Sequence, residues 1–492
     1  MKRIAIIGAG IGGLTVGNLL IDKGHKVTLF EKQSTPGGYT AGFWRKGFYF
    51  ESGTLSFESG EQIFEMMRQL GVLEQIPFIE QKSRFLSSDF DAIPENFAAF
   101  KDMLYAAYPS DRDRLAKYFS EADRLLDAML GIGKPESAIH AMGYPWRFLK
   151  FMNMYRKYQK MTISEFTAQY FEPNSKLYLL LKGLGYPDMA AWILGGAIYT
   201  IFNDYYTVRT GMQGWADVLA DHFRKFGGEL LLNSPVDRIL TQDGVAVGVS
   251  CKGVDHHADA VISAMDYKKT FLQLLDHPEL IPQVEREKIA GTAVSEGIFV
   301  VYLGLNMAHQ AMKDLLQIPH VLYYDEKPGA DVHDPDNPDY FTNVSLSYYS
   351  PSLMNPKLAP EGKSTLMIQA VAPHRWMNNW GGGDKTAYKE LKERVKETLI
   401  ARTCALFPQI ADAIEFEDAA TPLTFERYTG NTDGATSAFS WNPNNRFYKN
   451  LISSHVTTAV KNLFIGSCWS TQIGGVPSAI GAAKKCAKLI TS

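Results

Sequence analysis

The sequence predicts an α/β protein: a Rossmann-like, parallel-sheet nucleotide domain interrupted by a discontinuous α+β domain. Three observations lead there. A glycine-rich strand, turn and helix open the chain, a carboxylate ends the next strand, and glycines followed by a small-residue helix close it.

The first element is "KRIAIIGAGIGGLTVGNLLI", whose basic start and uncharged run from Ile4 to Ile21 resemble a secretory signal. Gly8, Gly10, Gly12, Gly13 and Gly17 serve neither a signal nor a membrane span. Arg3 to Ile7 reads instead as a short β-branched strand of the buried parallel type, followed by a tight turn and a helix. In Gly8-x-Gly10-x-x-Gly13 the first glycine permits the turn and the second lets backbone approach a pyrophosphate. The third allows close helix-on-strand packing, while the helix N terminus turns N–H groups toward the phosphates. The second strand, His25 to Phe30, ends at Glu31, whose carboxylate suits a ribose 2'-hydroxyl and repels the 2'-phosphate of NADP.

Next comes "KQSTPGGYTAGFWRKGFYFESGTLSF", which reads as a loop region wrapped on the nucleotide, a pattern that glycine-rich hairpins also produce. From about Glu61 to Leu130 apolar residues recur at spacings of three and four, and Ala138 to Tyr206 continues as an aromatic-rich helical stretch. These helices fit a nucleotide sheet poorly and predict an insertion. The segment from Gly211 then reads as a helix, a Gly-Gly stop, strands at Leu230–Leu232 and Val236–Leu240, and a turn at Asp243-Gly244. A second mixed segment, Gly297 to about Tyr428, carries the strands "GIFVVYLGL" and "STLMIQAVA". The expected division is 1–75, 211–296 and 436–492 for the nucleotide domain, and 76–210 with 297–435 for a substrate or lipid-facing domain.

With 492 residues, 46% of them hydrophobic, the chain can fill a sizeable core. A net charge of -3 gives no electrostatic basis for binding nucleic acid. Cys251, Cys404, Cys468 and Cys486 show no CxxC spacing, which suits a reducing cytoplasm better than a disulfide framework. There is no HExxH, and the His256-His257 pair reads as a solvated loop, so no metal is expected. No other run suits a membrane span. Between Ser137 and Ser164, however, there is no acid. Arg147, Lys150, Arg156, Lys157 and Lys160 interleave there with Phe148, Phe151, Met152, Tyr155 and Tyr158. This is the composition of a peripheral, interfacial membrane anchor, and equally of a basic edge over a packed helix.

Taken together, "GAGIGGL" with Glu31, "PGG", "GFYFESG", "GMQGWADVLA", "GGELLLNSPVDRI", "ADAVISA", "VVYLGL", "LAPEGKSTLMI" and the closing "NLFIGSCWSTQIGGVPSAIGAAKKCAKLI" span nearly the whole chain. In these motifs it resembles the FAD-dependent carotenoid desaturases of the bacterial phytoene type, with carotenoid isomerase and retinol saturase, inside the flavin amine oxidase-like superfamily. The resemblance implies that FAD's ADP half is held by Gly8, Gly10, Ile11, Gly13, Glu31 and Lys32, with Gly37, Gly38, Tyr39 and Thr40 passing close to it. It places Val236 at the adenine, Gly466 and Ser467 at the pyrophosphate and ribityl chain, and Gly475 and Val476 beside the isoalloxazine. Ser467 and Glu51 stand where many relatives carry aspartate.

The implied substrate is an apolar polyene or lipid, desaturated, saturated or isomerised at the flavin. Side chains cannot supply hydride chemistry; flavin can. Tyr199, Phe202, Tyr205, Tyr206 and Arg209 are expected to line the substrate space, with ordinary core packing as their alternative. No second GxGxxG follows a strand, so the electron partner comes from outside: oxygen, a quinone or a redox protein. Two rivals stand beside this reading. One is an amine oxidase, which would show an aromatic cage and in many members a lysine near the flavin. The other is a non-catalytic lipid carrier resembling GDP dissociation inhibitors, against which the intact glycine cradle counts.

Overall fold

The computed structural model describes residues 1–131, 144–185, 188–324, 336–445, 447, 454–471 and 474–492. Positions 138–143 and 186–187 of the expected helical stretch, and Gln472 and Ile473 of the C-terminal motif, lie outside the described residues.

Strand β1 (Arg3–Ile7) is the centre of a five-stranded, all-parallel sheet. It is flanked by β2 (Lys26–Phe30) and Ala260–Ser263, and beyond them by Glu229–Leu231 and Leu463–Ile465. Both faces are covered, so these strands read as apolar runs without alternation.

Helix α1 (Ile11–Ile21) is buried at every position from Ile11 to Leu20. The sheet covers one side and two helices, Met212–Lys225 and Gly475–Thr491, cover the rest. A Cβ on Gly17 would stand 2.8 Å from Phe223, and one on Gly12 3.5 Å from Ala479. Asn18 keeps its buried amide satisfied by donating to the carbonyls of Leu14 and Leu219, both at 2.9 Å, and by meeting His222 at 2.8 Å. The signal-like run is therefore a core helix, apolar on all sides because it is enclosed on all sides.

The chain leaves this sheet between Phe30 and Glu229 and again between Ser263 and Leu463. The first excursion forms the expected helices at Gly60–Gln69, Phe97–Ala107, Arg112–Leu130 and Tyr144–Tyr158. It also forms strands where helix was expected: Phe78–Glu80, Arg84–Leu86, Asp91–Ala92 and Tyr205–Val208. The reason is distant pairing. Phe78 stands opposite Val208, Phe57 opposite Tyr206, and Arg84 opposite Val321.

The second excursion builds a seven-stranded sheet in the order Ile414–Ala420, Gly297–Leu305, Ser364–Ala372, Leu346–Tyr349, His320–Tyr323, Arg84–Leu86, Asp91–Ala92. Along Gly297–Leu305, Phe299, Val301 and Leu303 point into a core shared with helix Lys385–Leu406. Val300 and Tyr302 point the other way, toward the hairpin Gly42–Arg45/Phe48–Glu51. A Cβ on Gly304 would stand 2.6 Å from the Phe48 ring, so that glycine lets the hairpin seat on the sheet.

A three-stranded meander, Val236–Gln242, Val245–Cys251 and Val254–His257, turns at Asp243-Gly244, where both residues have positive φ. His256 and His257 lie on its last strand and not in a loop, with the His256 ring 5.0 Å from Phe30 and His257 exposed. Helix Tyr144–Tyr158 carries the basic and aromatic stretch for which an interfacial anchor and a basic edge over a packed helix were equal expectations. Phe151 and Tyr158 are buried and Met152 and Tyr155 half-buried in the aromatic core of the first excursion, whereas Phe148 is exposed.

Candidate active site

A single cavity of about 1080 Å³ runs over the C-terminal ends of β1 and β2. Its floor is the β1–α1 turn: Gly8, Gly10, Ile11 and Gly12 line it. Gly8 has φ +98°, and a Cβ on Gly13 would lie 2.0 Å from the Gly8 carbonyl oxygen. Gly13 thus acts through packing and is not a wall residue. Gly10 differs, since the nearest atom to a Cβ there is the Gly37 oxygen at 3.9 Å. Its α-carbon faces the cavity, open to a ligand.

Glu31 ends β2 and is buried. Its Oε2 accepts from the Ala9 N–H and its Oε1 from the Gln33 N–H, each at 2.8 Å. Burial pushes the carboxyl up, and those N–H groups oppose the shift. The arrangement fixes the carboxylate at the cavity wall.

The segment 37–42 closes over the turn. The Gly37 N–H donates to the Ala9 carbonyl at 2.8 Å, and Gly37 and Gly38 hold φ of +127° and +60°. Gln213, on the first turn of helix Met212–Lys225, ties both ends of this segment. Its Oε1 accepts from the Gly42 N–H and its Nε2 donates to the Pro36 carbonyl, both at 3.1 Å. Gly37, Gly38, Tyr39 and Thr40 all line the cavity.

The opposite wall is the C-terminal motif. Ser467, Cys468, Gly475 and Val476 line the space, and the N terminus of helix Gly475–Thr491 points into it. A Cβ on Gly474 would stand 2.1 Å from Ser437 Oγ, the group that accepts from the Gly475 N–H at 2.9 Å. The Ser467 hydroxyl donates to the Met265 carbonyl at 2.8 Å. Gly466 sits behind the wall: Gly12 could carry no side chain there, because its Cβ would lie 2.4 Å from the Gly466 oxygen.

Several expected positions lie elsewhere. Val236 is not a lining residue, and Lys32 directs its Nζ to the Arg427 carbonyl at 2.9 Å. Tyr199, Phe202, Tyr205, Tyr206 and Arg209 do not line the cavity. Phe202 is buried against Phe85, Phe97 and Phe100, Tyr206 packs on Phe57 and Phe64, and Arg209 is exposed. For Phe202 and Tyr206, core packing is what their apolar periodicity recorded.

The sequence reading missed one arm of the cavity. Tyr39 and Phe425, stacked with centroids 5.8 Å apart, line it together with the apolar Phe43, Tyr302, Ala420 and Leu423. Arg45, Tyr388, Lys392 and Asp418 add polar groups to its lining. The one local signal was "TPLTFERYTG": Thr421 caps, Pro422 starts and Gly430, at φ +82°, stops a short helix, Pro422–Thr429. That predicts a helix and says nothing of what it faces.

Cys468 donates to the Ser437 carbonyl at 3.1 Å, and burial pushes its thiol up to about 12. It is a half-buried thiol at the cavity wall, not an activated one. Among the described residues one group of possible metal ligands comes together, His374, Glu426 and Asp433. Lys269 already pairs with Glu426 at 3.0 Å, which makes this an ion-pair cluster.

A glycine cradle at a helix N terminus, a buried carboxylate at its wall and a second helix N terminus across one cavity define a dinucleotide flavoprotein, and these residues fit FAD. The chain belongs to the flavin containing amine oxidoreductase family, whose model matches residues 11–491. It is 26% identical to a 4,4'-diapophytoene desaturase (4,4'-diapolycopene-forming) from Methylomonas sp, over 100% of this chain and 95% of the relative. It is also 26% identical to prolycopene isomerase 2, chloroplastic, of an Oncidium hybrid cultivar, over 87% of this chain and 74% of that one. Among solved structures, putrescine oxidase bound to putrescine superposes with a TM-score of 0.68 at 16% identity, covering 99% of this chain and 98% of that one. That likeness concerns the fold alone.

Proposed function

We propose that this chain is an FAD-dependent enzyme that desaturates, saturates or isomerises carbon–carbon bonds of an apolar polyene, of the carotenoid or retinoid class. The observation that carries the reading is the continuity of the cavity. The nucleotide cradle and an apolar arm of Phe43, Tyr302, Ala420, Leu423 and Phe425 line one and the same space. A long apolar chain fits such a wall, and full-length relatedness to a diapophytoene desaturase supports the same class.

Bound FAD supplies two-electron hydride chemistry that side chains lack. The chain's own residues orient and exclude water. Phe43, Leu423 and Phe425 keep the arm dry, and the N terminus of helix Gly475–Thr491 favours negative charge beside Gly475 and Val476. Among the described residues, the only lysine lining the cavity is Lys392, and full-length relatedness to a diapophytoene desaturase favours a polyene over an amine. The electron partner is external: oxygen, a quinone or a redox protein. We place the working position on the cytoplasmic surface of a membrane, in peripheral contact. No helix among the described residues is long and apolar enough to cross one.

The test is the visible spectrum of the purified protein without oxygen, before and after adding candidate polyenes and retinoids. Flavin bands that bleach with one polyene establish desaturation and name its class. Double-bond isomerisation without bleaching, or saturation only after prior reduction, selects the other two reactions. No flavin after reconstitution with FAD, or no change in any polyene, overturns the reading.

A further inference from the structure

The apolar arm carries a polar edge that hydride chemistry on a hydrocarbon chain does not use. Arg45, Tyr388, Lys392 and Asp418 line the cavity together with Phe43 and Tyr302. These side chains form one connected group. The Arg45 guanidinium lies over the Phe43 ring, 5.1 Å from its centroid, and that ring meets Tyr302 edge-on at 5.0 Å. Tyr302 stands opposite Asp418 on the paired strands Gly297–Leu305 and Ile414–Ala420, so the two side chains share a face. Asp418 meets the Lys392 ammonium at 3.5 Å, and Tyr388 precedes Lys392 by one turn of helix Lys385–Leu406. Arg45 donates to the Trp44 carbonyl at 3.0 Å and, among the described residues, pairs with no carboxylate. Trp44 is 52% exposed and also lines the cavity, so the space reaches solvent beside this group.

We infer that this group binds the carboxylate end of an amphiphilic polyene acid, whose chain lies along Phe43, Tyr302 and Leu423. The inference rests on the reading of the arm as the polyene site and narrows it, from any apolar polyene to one with an anionic end. The chemistry of the group selects that end. A guanidinium presents paired N–H donors that match the two oxygens of a carboxylate, and its seat over the Phe43 ring restricts how it turns. Lys392 adds a second cation and Tyr388 a hydroxyl. Two cations against the one carboxylate of Asp418 leave a single net positive charge, which balances a monoanion. A diphosphate would bring several negative charges against Asp418 and is disfavoured. A hydrocarbon end set there would take water from both cations and offer no acceptor in return.

The test is equilibrium binding to the flavin-loaded full chain, without oxygen or reductant, read by quenching of protein fluorescence. The probes are all-trans-retinoic acid and a longer apocarotenoic acid, each beside its methyl ester. At neutral pH each acid should bind about tenfold more tightly than its ester, the scale of a charge-assisted hydrogen bond. Arg45→Gln should remove that preference while the ester's affinity and the flavin content stay as in wild type. Asp418→Asn, which removes the opposing charge, should strengthen binding of the acid by about threefold. A merely structural role for these residues predicts no gain in either variant. Equal affinity of acid and ester at both chain lengths, no binding of any probe, an acid preference that survives Arg45→Gln, no gain in Asp418→Asn, or flavin lost from Arg45→Gln overturns the proposal. The result is separable from turnover. Bleaching by a polyene without any acid preference overturns the end-group assignment alone, whereas acid-selective binding without flavin chemistry overturns the proposed function and leaves the binding site standing.

Discussion

The Tyr49 hydroxyl donates to Glu51 at 2.8 Å, and the two close a buried relay behind the cavity wall. Glu51 also accepts from the Met212 N–H at 3.0 Å, and Tyr49 accepts from the Gln213 N–H at 3.3 Å. Gln213 in turn ties both ends of segment 36–42. A carboxyl on the hairpin thus holds in place, through a tyrosine and a helix N terminus, the loop that lines the cofactor space.

Burial raises the Glu51 carboxyl to about 8, against 4.5 when unperturbed. A group with a raised folded-state value stabilises the fold fully below the unfolded value and loses that contribution as pH rises toward the folded one. Stability should therefore fall between pH 4.5 and about 8. Glu51→Gln should flatten that slope and gain a few degrees in Tm relative to wild type at the alkaline end. Thermal unfolding across pH checks it, and parallel curves for the two proteins would count against the assignment.

Gly10→Ala and Gly13→Ala should fail differently. A methyl on Gly13 meets the Gly8 oxygen at 2.0 Å, so α1 must move off the sheet, costing about 1–3 kcal/mol together with the flavin. A methyl on Gly10 meets only open cavity, so the protein should fold with near-normal Tm and purify colourless. Comparing Tm with the flavin-to-protein absorbance ratio separates them.

The apolar arm and the aromatic core are distinguished by Leu423→Trp and Phe202→Ala. Leu423→Trp should keep the flavin and fold but abolish polyene-dependent bleaching. Phe202→Ala, which opens a cavity in the core, should cost about 3–5 kcal/mol and leave bleaching by the surviving folded protein unchanged. The reverse pattern would restore Phe202 as a substrate contact.

Cys468, with its thiol held near 12, should form no flavin bond and resist alkylation in the folded protein. Acid precipitation should release the flavin quantitatively into the supernatant. Yellow colour retained in the pellet, and lost in Cys468→Ser, would reverse this conclusion.

The sequence by itself determined the parts of the protein whose constraints are local. Gly8, Gly10 and Gly13 fall within two turns of chain, and Glu31 follows after one helix and one strand. Their steric roles are set by neighbours a few residues away, and the structure places Gly8, Gly10 and Glu31 at the wall and Gly13 beneath it. The nine-residue strand Gly297–Leu305 was equally legible, because a strand covered on both faces is an unbroken apolar run. Only the tertiary structure decided which way equally apolar residues face. Phe202 and Leu423 look alike in sequence, yet one enters the aromatic core and the other walls the cavity. The strands at Phe78–Glu80 and Arg84–Leu86 exist because their partners arrive more than 120 residues later, at Val208 and Val321. Hydrophobic burial has no direction of its own, so the face that a side chain finds depends on elements far along the chain.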